Sequence, residues 1–408
     1  MSNSKNPVKQ INPTYLKDFK CIGGSCEDSC CIGWDVDIDR ITFRQYFRTK
    51  DSSMRSMFQS YIYKNEYCYS TEVDYGKVRM EASKRCPFLD ENCYCKIFSN
   101  MGEEYLSNVC SSFPRVTNAI DDYYETSLYL SCPEAARLVL LNPEGICFEK
   151  NNQPLTKHVL GSIVDTRLAE YSDSPVKFFH LIRKKCISII QNRNYPLTKR
   201  LKALGNFLEI LDEKSDFDLA SMYKYLNNFD TDNFSDLPEA SSSLPLLVSL
   251  FQEWTNKLNT FSSIENAQFI NYTKLVREAF TLDSGEDIKV KSALYEDSLQ
   301  RYFEPFLEEY EYIFENDLVN IMFKNVFPFS MTHRMFDGYL MLIIHFLWVR
   351  FYMVAFFSAS KEASASDAVK LIQVLAKTLD HHNTYMDDLF YELKDCEYDN
   401  MEFIKVLI

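Results

Sequence analysis

Thirteen cysteines are distributed very unevenly along this 408-residue chain: eleven precede residue 150, and nine of these sit in four tight motifs. CIGGSCEDSCCIGW (21–34) spaces Cys21, Cys26, Cys30 and Cys31 as C-x4-C-x3-C-C, and CPFLDENCYC supplies Cys86, Cys93 and Cys95. VCSSFPR then brings Cys110, and SCPEAARL brings Cys132. Soft thiolates at short spacings suit zinc or iron–sulfur clusters, and the fold must draw distant segments to one point to complete such a site. Side chains of adjacent Cys30 and Cys31 point in different directions, so the two are not expected to ligate one ion together. Paired CxxC knuckles, the usual mark of structural zinc, are absent. The CxxxCxxC of radical enzymes is absent too: Cys26 and Cys30 give its first interval, but Gly33 stands at its third position. Cys68 and Cys147 read as buried free cysteines. The N-terminus, MSNSKNPVKQINPTYLKDF, has no apolar core of a secretory signal. A cytoplasmic setting follows as the expectation, with thiols as metal ligands or catalytic groups and not as disulfides.

A single core stops growing at roughly 250–300 residues, so at least two domains are expected. The breaker-rich stretch LLNPEGICFEKNNQPLTK (140–157) marks the boundary, giving a metal-binding domain over 1–150 and a helical domain over 151–408. The expected fold class is mainly α: a cysteine-rich, loop-rich N-terminal domain followed by a larger all-α domain. Ten glycines cannot build GxGxxG or a P-loop, which excludes an ordinary nucleotide fold. Net charge is −14, with −3 in residues 1–150 and −11 in the rest. That disfavours nucleic acid, which is held by cations, and is compatible with a basic, lysine-bearing partner; most of it reads as solubilising surface charge.

Beyond residue 150 the apolar spacing is helical. Leu201, Leu204, Leu208 and Leu211 share a face, as do Phe178, Ile182, Cys186 and Ile189, and Leu247, Phe251, Trp254 and Leu258. Tyr302, Phe306, Tyr310 and Phe314 form an aromatic core stripe, with Pro305 kinking or starting its helix. Val369 to Leu389 outlines one long last helix, with His382 on its apolar face and His381 toward solvent. SKEASASDA (360–368) reads as a linker, and EVDYGKVRME (72–81) as a short hairpin. YLMLIIHFLWVRFYMVAFF (339–357) has the length of a membrane span but carries His345 and Arg350, so a buried central helix is preferred over peripheral membrane association.

Taken together, YLKDFKCIGGSCEDSCCIGWDVDID, CPFLDENCYCKI, GEEYLSNVCSSFPR and SLYLSCPEAARLVL resemble the flagellin lysine-N-methylases. The early motifs also resemble a wider group of cysteine-cluster proteins thought to chelate zinc or iron. ENDLVNIMFKNVFPF (315–329) and LAKTLDHHNTYMDDLF (375–390) look like the later blocks of the methylase family. The resemblance implies a bacterial cytoplasmic enzyme that moves methyl from S-adenosylmethionine to the ε-amine of surface lysines on flagellin. It also implies a [4Fe–4S] cluster, with Cys21, Cys26, Cys30, Cys31, Cys86, Cys95, Cys110 and Cys132 as ligand candidates. The family motif has one cysteine where this chain has Cys93 and Cys95, and Cys95 keeps the C-x-I context. Eight candidates exceed the four ligands of one cluster, so several are structural or a second metal is present. Arg115 and Arg137 are candidates to offset thiolate charge, Trp34 and Phe88 to exclude water, and Glu27 and Asp28 to sit solvated in the loop. A non-enzymatic iron- or zinc-binding module for assembly or redox sensing is the alternative. Catalytic base, donor pocket and oligomeric state are not legible.

Overall fold

A computed structural model describes residues 6–234, 242–258, 266–380 and 384–408. The chain is mainly α and divides into two compact units. Unit 1 comprises residues 1–138 and 147–164; unit 2 comprises 139–146 and 165–408. The expected division at 150/151 falls inside a strand, Phe148–Gln153.

Unit 1 contains more strand than its sequence suggests. β1 (Val8–Pro13) leads to a two-residue β2 (Asp37–Ile38) and then to α1 (Arg40–Arg48) and α2 (Ser52–Tyr61). Both helices start at an aspartate: Asp39 accepts the Thr42 N–H and Asp51 the Met54 N–H, each at 2.9 Å. β3 (Ile62–Lys64) and β4 (Gly76–Val78) follow, and the sheet order is β2–β4–β3. The stretch 72–81 is therefore not a hairpin in itself; it supplies one strand, whose partners lie outside it.

Next come α3 (Lys96–Met101), α4 (Asn108–Ser112), β5 (Arg115–Ile120), β6 (Tyr123–Leu128) and α5 (Pro133–Leu140). β7 (Phe148–Gln153) and β8 (Leu160–Val164) complete a five-stranded sheet of order β7–β1–β6–β5–β8. β1 lies at its interior, parallel to β6 and antiparallel to β7. This sheet escapes sequence reading because polar side chains fill its buried face. Gln10, Asn12, Thr117, Asn118, Glu125, Thr126 and Ser127 are all buried. They satisfy one another: Asn12 accepts the Thr126 N–H at 3.0 Å and donates to Gln10 at 3.0 Å, and the Thr117 and Thr126 hydroxyls meet at 3.0 Å. Without alternating apolar residues the period-2 signal disappears.

Unit 2 follows its apolar periodicity closely. α6 (Phe179–Ile190) buries Cys186, and α7 (Leu197–Phe217) buries Leu201, Leu204, Leu208 and Leu211 completely. α8 (Leu219–Asn228), α9 (Leu244–Leu258), α10 (Ala267–Ala279) and α11 (Ile288–Ser298) precede a π-helical turn at Leu299–Phe303. α12 (Glu304–Lys324) has Pro305 in its first turn and bends at Tyr310, where φ is −119° and ψ 19°. Only half of the aromatic stripe is core: Phe306 and Phe314 are buried, Tyr302 and Tyr310 half-buried.

α13 (Met335–Ser360) is apolar around its whole circumference, as a helix must be when neighbours cover every side. α7, α10, α11, α12, α14 (Ala365–Leu379) and α15 (Tyr385–Asp395) pack against it. It is long and apolar enough to cross a membrane, but 89% of that stretch is buried within the protein. Its start is anchored by Asp212, which accepts the N–H groups of Met335 (3.0 Å) and Phe336 (2.8 Å). Gly338 lets α13 touch the preceding turn; a Cβ there would stand 2.1 Å from the Pro328 carbonyl oxygen. The stretch 360–368 is not all linker, since Ser364 caps α14 through the Asp367 N–H. The single last helix expected from Val369 to Leu389 is two helices, α14 and α15, followed by α16 (Met401–Ile404). His381 and His382 lie outside the described residues.

Candidate metal centre

Three backbone devices in unit 1 gather the cysteine motifs. The first is a short antiparallel ladder: Cys86 N–H donates to the Cys31 carbonyl at 2.9 Å and Gly33 N–H to the Lys84 carbonyl at 3.0 Å. The second is a tight turn in CPFLDENCYC, where Asp90 accepts the N–H groups of Asn92 (2.9 Å) and Tyr94 (2.8 Å). Cys93 sits at its left-handed corner with φ +60°, and Cys95 returns to pair with Leu89. The third is the close approach of that turn to the first loop. A Cβ at Gly24 would meet the Asn92 carbonyl at 2.6 Å and the Tyr94 ring at 2.8 Å. Glycine is thus required for the two cysteine loops to touch.

Helix starts present three further cysteines. Cys95 is the N-cap of α3. Cys110 lies in the first turn of α4, its N–H donated to the Ser107 hydroxyl at 3.2 Å. Cys132 immediately precedes α5. On α5, Arg137 reaches back 2.6 Å to Glu27 in the first loop and 2.9 Å to Glu134. Glu27 is therefore ion-paired, and Arg137 is engaged with carboxylates. Arg115 stacks on Phe19 at 5.1 Å. Trp34 donates to the Cys30 carbonyl at 2.7 Å and packs on Phe113 at 5.3 Å, while Phe88 is fully covered against Phe58 and Tyr61.

The thiols influence one another's ionisation. Burial, then the negative charges of Cys31 and Cys95 among others, pushes Cys86 up to about 12. Burial, followed by the charges of Cys31, Cys95 and Cys86, drives Cys110 well up as well, although the residue reaches the surface. Burial pushes Cys132 up to about 11, with Cys26 and Cys21 adding to it. Cys31 moves the other way, down to about 7: hydrogen bonds from Cys30 and Ser29 and the nearby Arg85 guanidinium outweigh its burial. A thiolate is the metal-binding form, so Cys31 is the thiol readiest to bind. Arg85 was not singled out from sequence; its only signal is its position beside Cys86 in KRCPFL. Tyr46, also not anticipated, is buried and stacked on Phe58 at 4.1 Å. Its hydroxyl is raised first by burial and then by the charges of Cys110, Cys95, Asp39 and Cys86.

Cys93 joins neither this network nor the apolar cluster that holds Cys31, Cys86 and Cys95. Cys68 is half-buried beside Asp74, and Cys147 is exposed, so neither is a buried free cysteine. A shallow groove of about 670 Å³ is lined by Arg44, Arg48, Lys50, Asp51 and Tyr105 among others, away from the thiols.

Unit 2 holds a different set of polar groups, which sequence reading missed. α12 turns Glu315, Asn316, Asp317, Asn320 and Lys324 into the interior. Arg200, wholly buried, bonds to Glu315 at 2.8 Å and to Glu311. Arg193 forks onto Glu315 with two bonds of 2.9 Å. His345 meets Asp317 at 2.7 Å, Lys324 meets Asp380 at 2.6 Å, and Lys394 meets Asp337 at 2.9 Å. A few of the carboxylates in this acidic region, Glu315, Asp317 and Asp337, are buried and paired internally. His345 and Arg350 in the long apolar helix are likewise accounted for, Arg350 bonding to the Leu407 carbonyl.

Comparison with known proteins locates the chain. Residues 183–407 match the profile of the FliB lysine N-methylase C-terminal domain. The Lysine-N-methylases of Salmonella choleraesuis (strain SC-B67) and Salmonella typhimurium (strain LT2) are each 24% identical to it over 335 residues, 79% of either chain. The flagellar biosynthetic protein FliU of Salmonella muenchen is 32% identical over 140 residues, 34% of this chain and 81% of FliU. No solved structure matches. With more than half its length matched by that domain, the chain belongs to the FliB lysine N-methylase family.

Proposed function

We propose that this lysine methylase acts on surface lysines of flagellin, uses S-adenosylmethionine as methyl donor and carries an iron–sulfur cluster on the cysteines of unit 1. The observation that carries the cofactor reading is the gathering of thiols whose sulfurs already receive hydrogen bonds. Gly23 N–H reaches the Cys21 sulfur at 3.4 Å. Backbone N–H groups of Phe88, of Ile97 and Phe98, and of Glu134 and Ala135 serve Cys86, Cys95 and Cys132. Such bonds stabilise cluster thiolates and tune their potential. Among the described residues, no three His, Cys, Asp or Glu side chains converge as the ligands of one metal ion. Cys31, Cys86, Cys95 and Cys110 would hold the cluster, and bound there it would supply a redox-active or Lewis-acidic iron centre.

Methyl transfer breaks the sulfonium S–CH3 bond and forms an N–CH3 bond on lysine. An ammonium with a pKa near 10.4 has no lone pair, so its proton must first pass to a base or be lost on desolvation. Incubating cluster-loaded protein with flagellin and isotopically labelled S-adenosylmethionine should place label on flagellin lysines, read by mass spectrometry. An unlabelled flagellin from a loaded preparation would reject the substrate assignment.

A further inference from the structure

We propose that the groove lined by Arg44, Arg48 and Lys50 in unit 1 docks an acidic, extended segment of the protein substrate. The inference deepens the function proposed above and rests on it only for the substrate being a protein.

One face of α1 builds the groove wall. Ile41, Arg44, Gln45 and Arg48 follow one another at helical intervals and share that face, while Thr42 and Tyr46 on the other side are buried. The corner between α1 and α2, Thr49 to Asp51, and Tyr105 complete the lining. That corner is held from both sides: the Asp51 carboxylate accepts the Met54 N–H at 2.9 Å, and the Arg55 guanidinium donates to the Thr49 carbonyl. Arg44, Arg48 and Lys50 are exposed, and their side chains make no hydrogen bond, ion pair or ring contact among the described residues. Asp51 is the one carboxylate among the described lining residues, and it is committed to its cap.

Three cations without partners in one groove call for carboxylates. Arg44 and Arg48 stand one helical turn apart, about 6 Å along the axis. Alternate side chains of an extended chain lie about 6.6 Å apart on one face. Carboxylates at alternate positions of a bound strand therefore meet the two guanidinium groups in step, each taking a forked pair of bonds, and Lys50 receives the next beyond the helix end. Ile41, 61% exposed on the same wall, offers a contact to an apolar neighbour in that strand. Cations strung in a row suit a chain of charges better than a single phosphate, which asks them to converge on a point. Nucleic acid is disfavoured because residues 1–150 carry −3 overall, and a phosphate backbone is held by a broad field of cations. Charges of this exposed kind set encounter and register with a partner more than raw affinity.

The test uses the full chain and a fluorescein-labelled peptide of alternating Glu and Val, followed by anisotropy, with a peptide of alternating Lys and Val as control. The wild type should prefer the Glu peptide and bind it more weakly as added salt shrinks the Debye length from about 30 Å to about 10 Å. Arg44→Glu combined with Arg48→Glu should weaken that binding about tenfold and raise the KM for flagellin by a similar factor with kcat little changed, the mark of binding lost outside the reacting centre. Lys50→Glu, outside either helix, should shift both readouts the same way, and it decides alone if the double variant does not fold. Failure of the wild type to bind the Glu peptide, or equal affinity in wild type and variants, would overturn the proposal. So would a single-stranded oligonucleotide that binds more tightly than the Glu peptide and is lost in the same variants. Flagellin methylated with an unchanged KM in the variants would overturn the docking role and leave the proposed function intact. A wild type that binds the Glu peptide through these residues but methylates no flagellin would reject the substrate assignment and leave the acidic docking site standing.

Discussion

The two units solve the problem of buried polarity in opposite ways. Unit 2 buries cations against anions: Arg200 with Glu315, Lys324 with Asp380, Lys394 with Asp337. Each of these partners is supplied by the chain. Unit 1 gathers groups of one kind, thiols whose pKa values rise first because they are buried and then because they lie near one another. The Arg85 guanidinium favours the Cys31 thiolate. Ionised together, such thiols would suit a soft metal cation, the cofactor proposed above.

That contrast can be broken most forcefully by removing metal. If unit 1 depends on thiolate coordination, a chelator under reducing conditions should lower its unfolding free energy by as much as about 10 kcal/mol, the scale of structural thiolate sites. Unit 2 should melt as before. Differential scanning calorimetry that shows both transitions moving together would refute the contrast.

The next largest effect is expected in unit 2. Arg200→Ala strands the buried Glu315 carboxylate beside Arg193 and should cost about 3–5 kcal/mol, read as a lower urea midpoint. A loss under about 1 kcal/mol would mean that Arg193 alone satisfies Glu315.

A pH titration sharpens the comparison at one residue. Burial pushes His345 down, but the Asp317 carboxylate and more distant Asp380 outweigh both burial and Lys324 and raise it. A raised pKa means that the imidazolium favours the folded state. Its stabilisation is complete below the unfolded value of about 6.5 and is lost as pH rises through the higher folded value. His345→Gln should flatten the stability of unit 2 across that window. An unchanged slope would show that the ring stays neutral in the fold.

The smallest effect is a cap. Asp51→Ala leaves the Met54 N–H without its acceptor and should cost about 1 kcal/mol by thermal melting, with metal content unchanged. Loss of metal in that variant would show that α2 supports the thiols directly.

How much of this was legible depends on what each region buries. Leu201, Leu204, Leu208 and Leu211 announce α7 because apolar residues recur at the helical period. Phe148–Gln153, reading FEKNNQ, announces nothing, because its sheet is joined through amides and hydroxyls that resemble loop residues. In ENDLVNIMFK the sequence does not announce the buried ion pairs, since Glu315, Asp317 and Lys324 find partners 115, 28 and 56 residues away along the chain, a pairing no local pattern encodes. In the cysteine region, spacing singled out the thiols but not their grouping. Cys30 and Cys31 are neighbours in sequence with different surroundings, and the Arg137–Glu27 ion pair joins the loop that carries Cys26 to the helix that follows Cys132.

The position of β1 in its sheet has a consequence for synthesis. Gln10 and Ile11 pair with Tyr124 and Glu125 on one side and with Asn151 and Lys150 on the other. β1 is therefore an interior strand, and it waits for β6 and β7. On a ribosome adding about 5–20 residues per second, the thiols at 21–31 emerge well before β7 and β8 can close the sheet. Metal delivered early meets a loop; metal delivered after residue 164 has emerged meets a framework. The order of strands thus sets the earliest moment at which the framework around the thiols is complete, and would make loading of the proposed cofactor a late event in the birth of this enzyme.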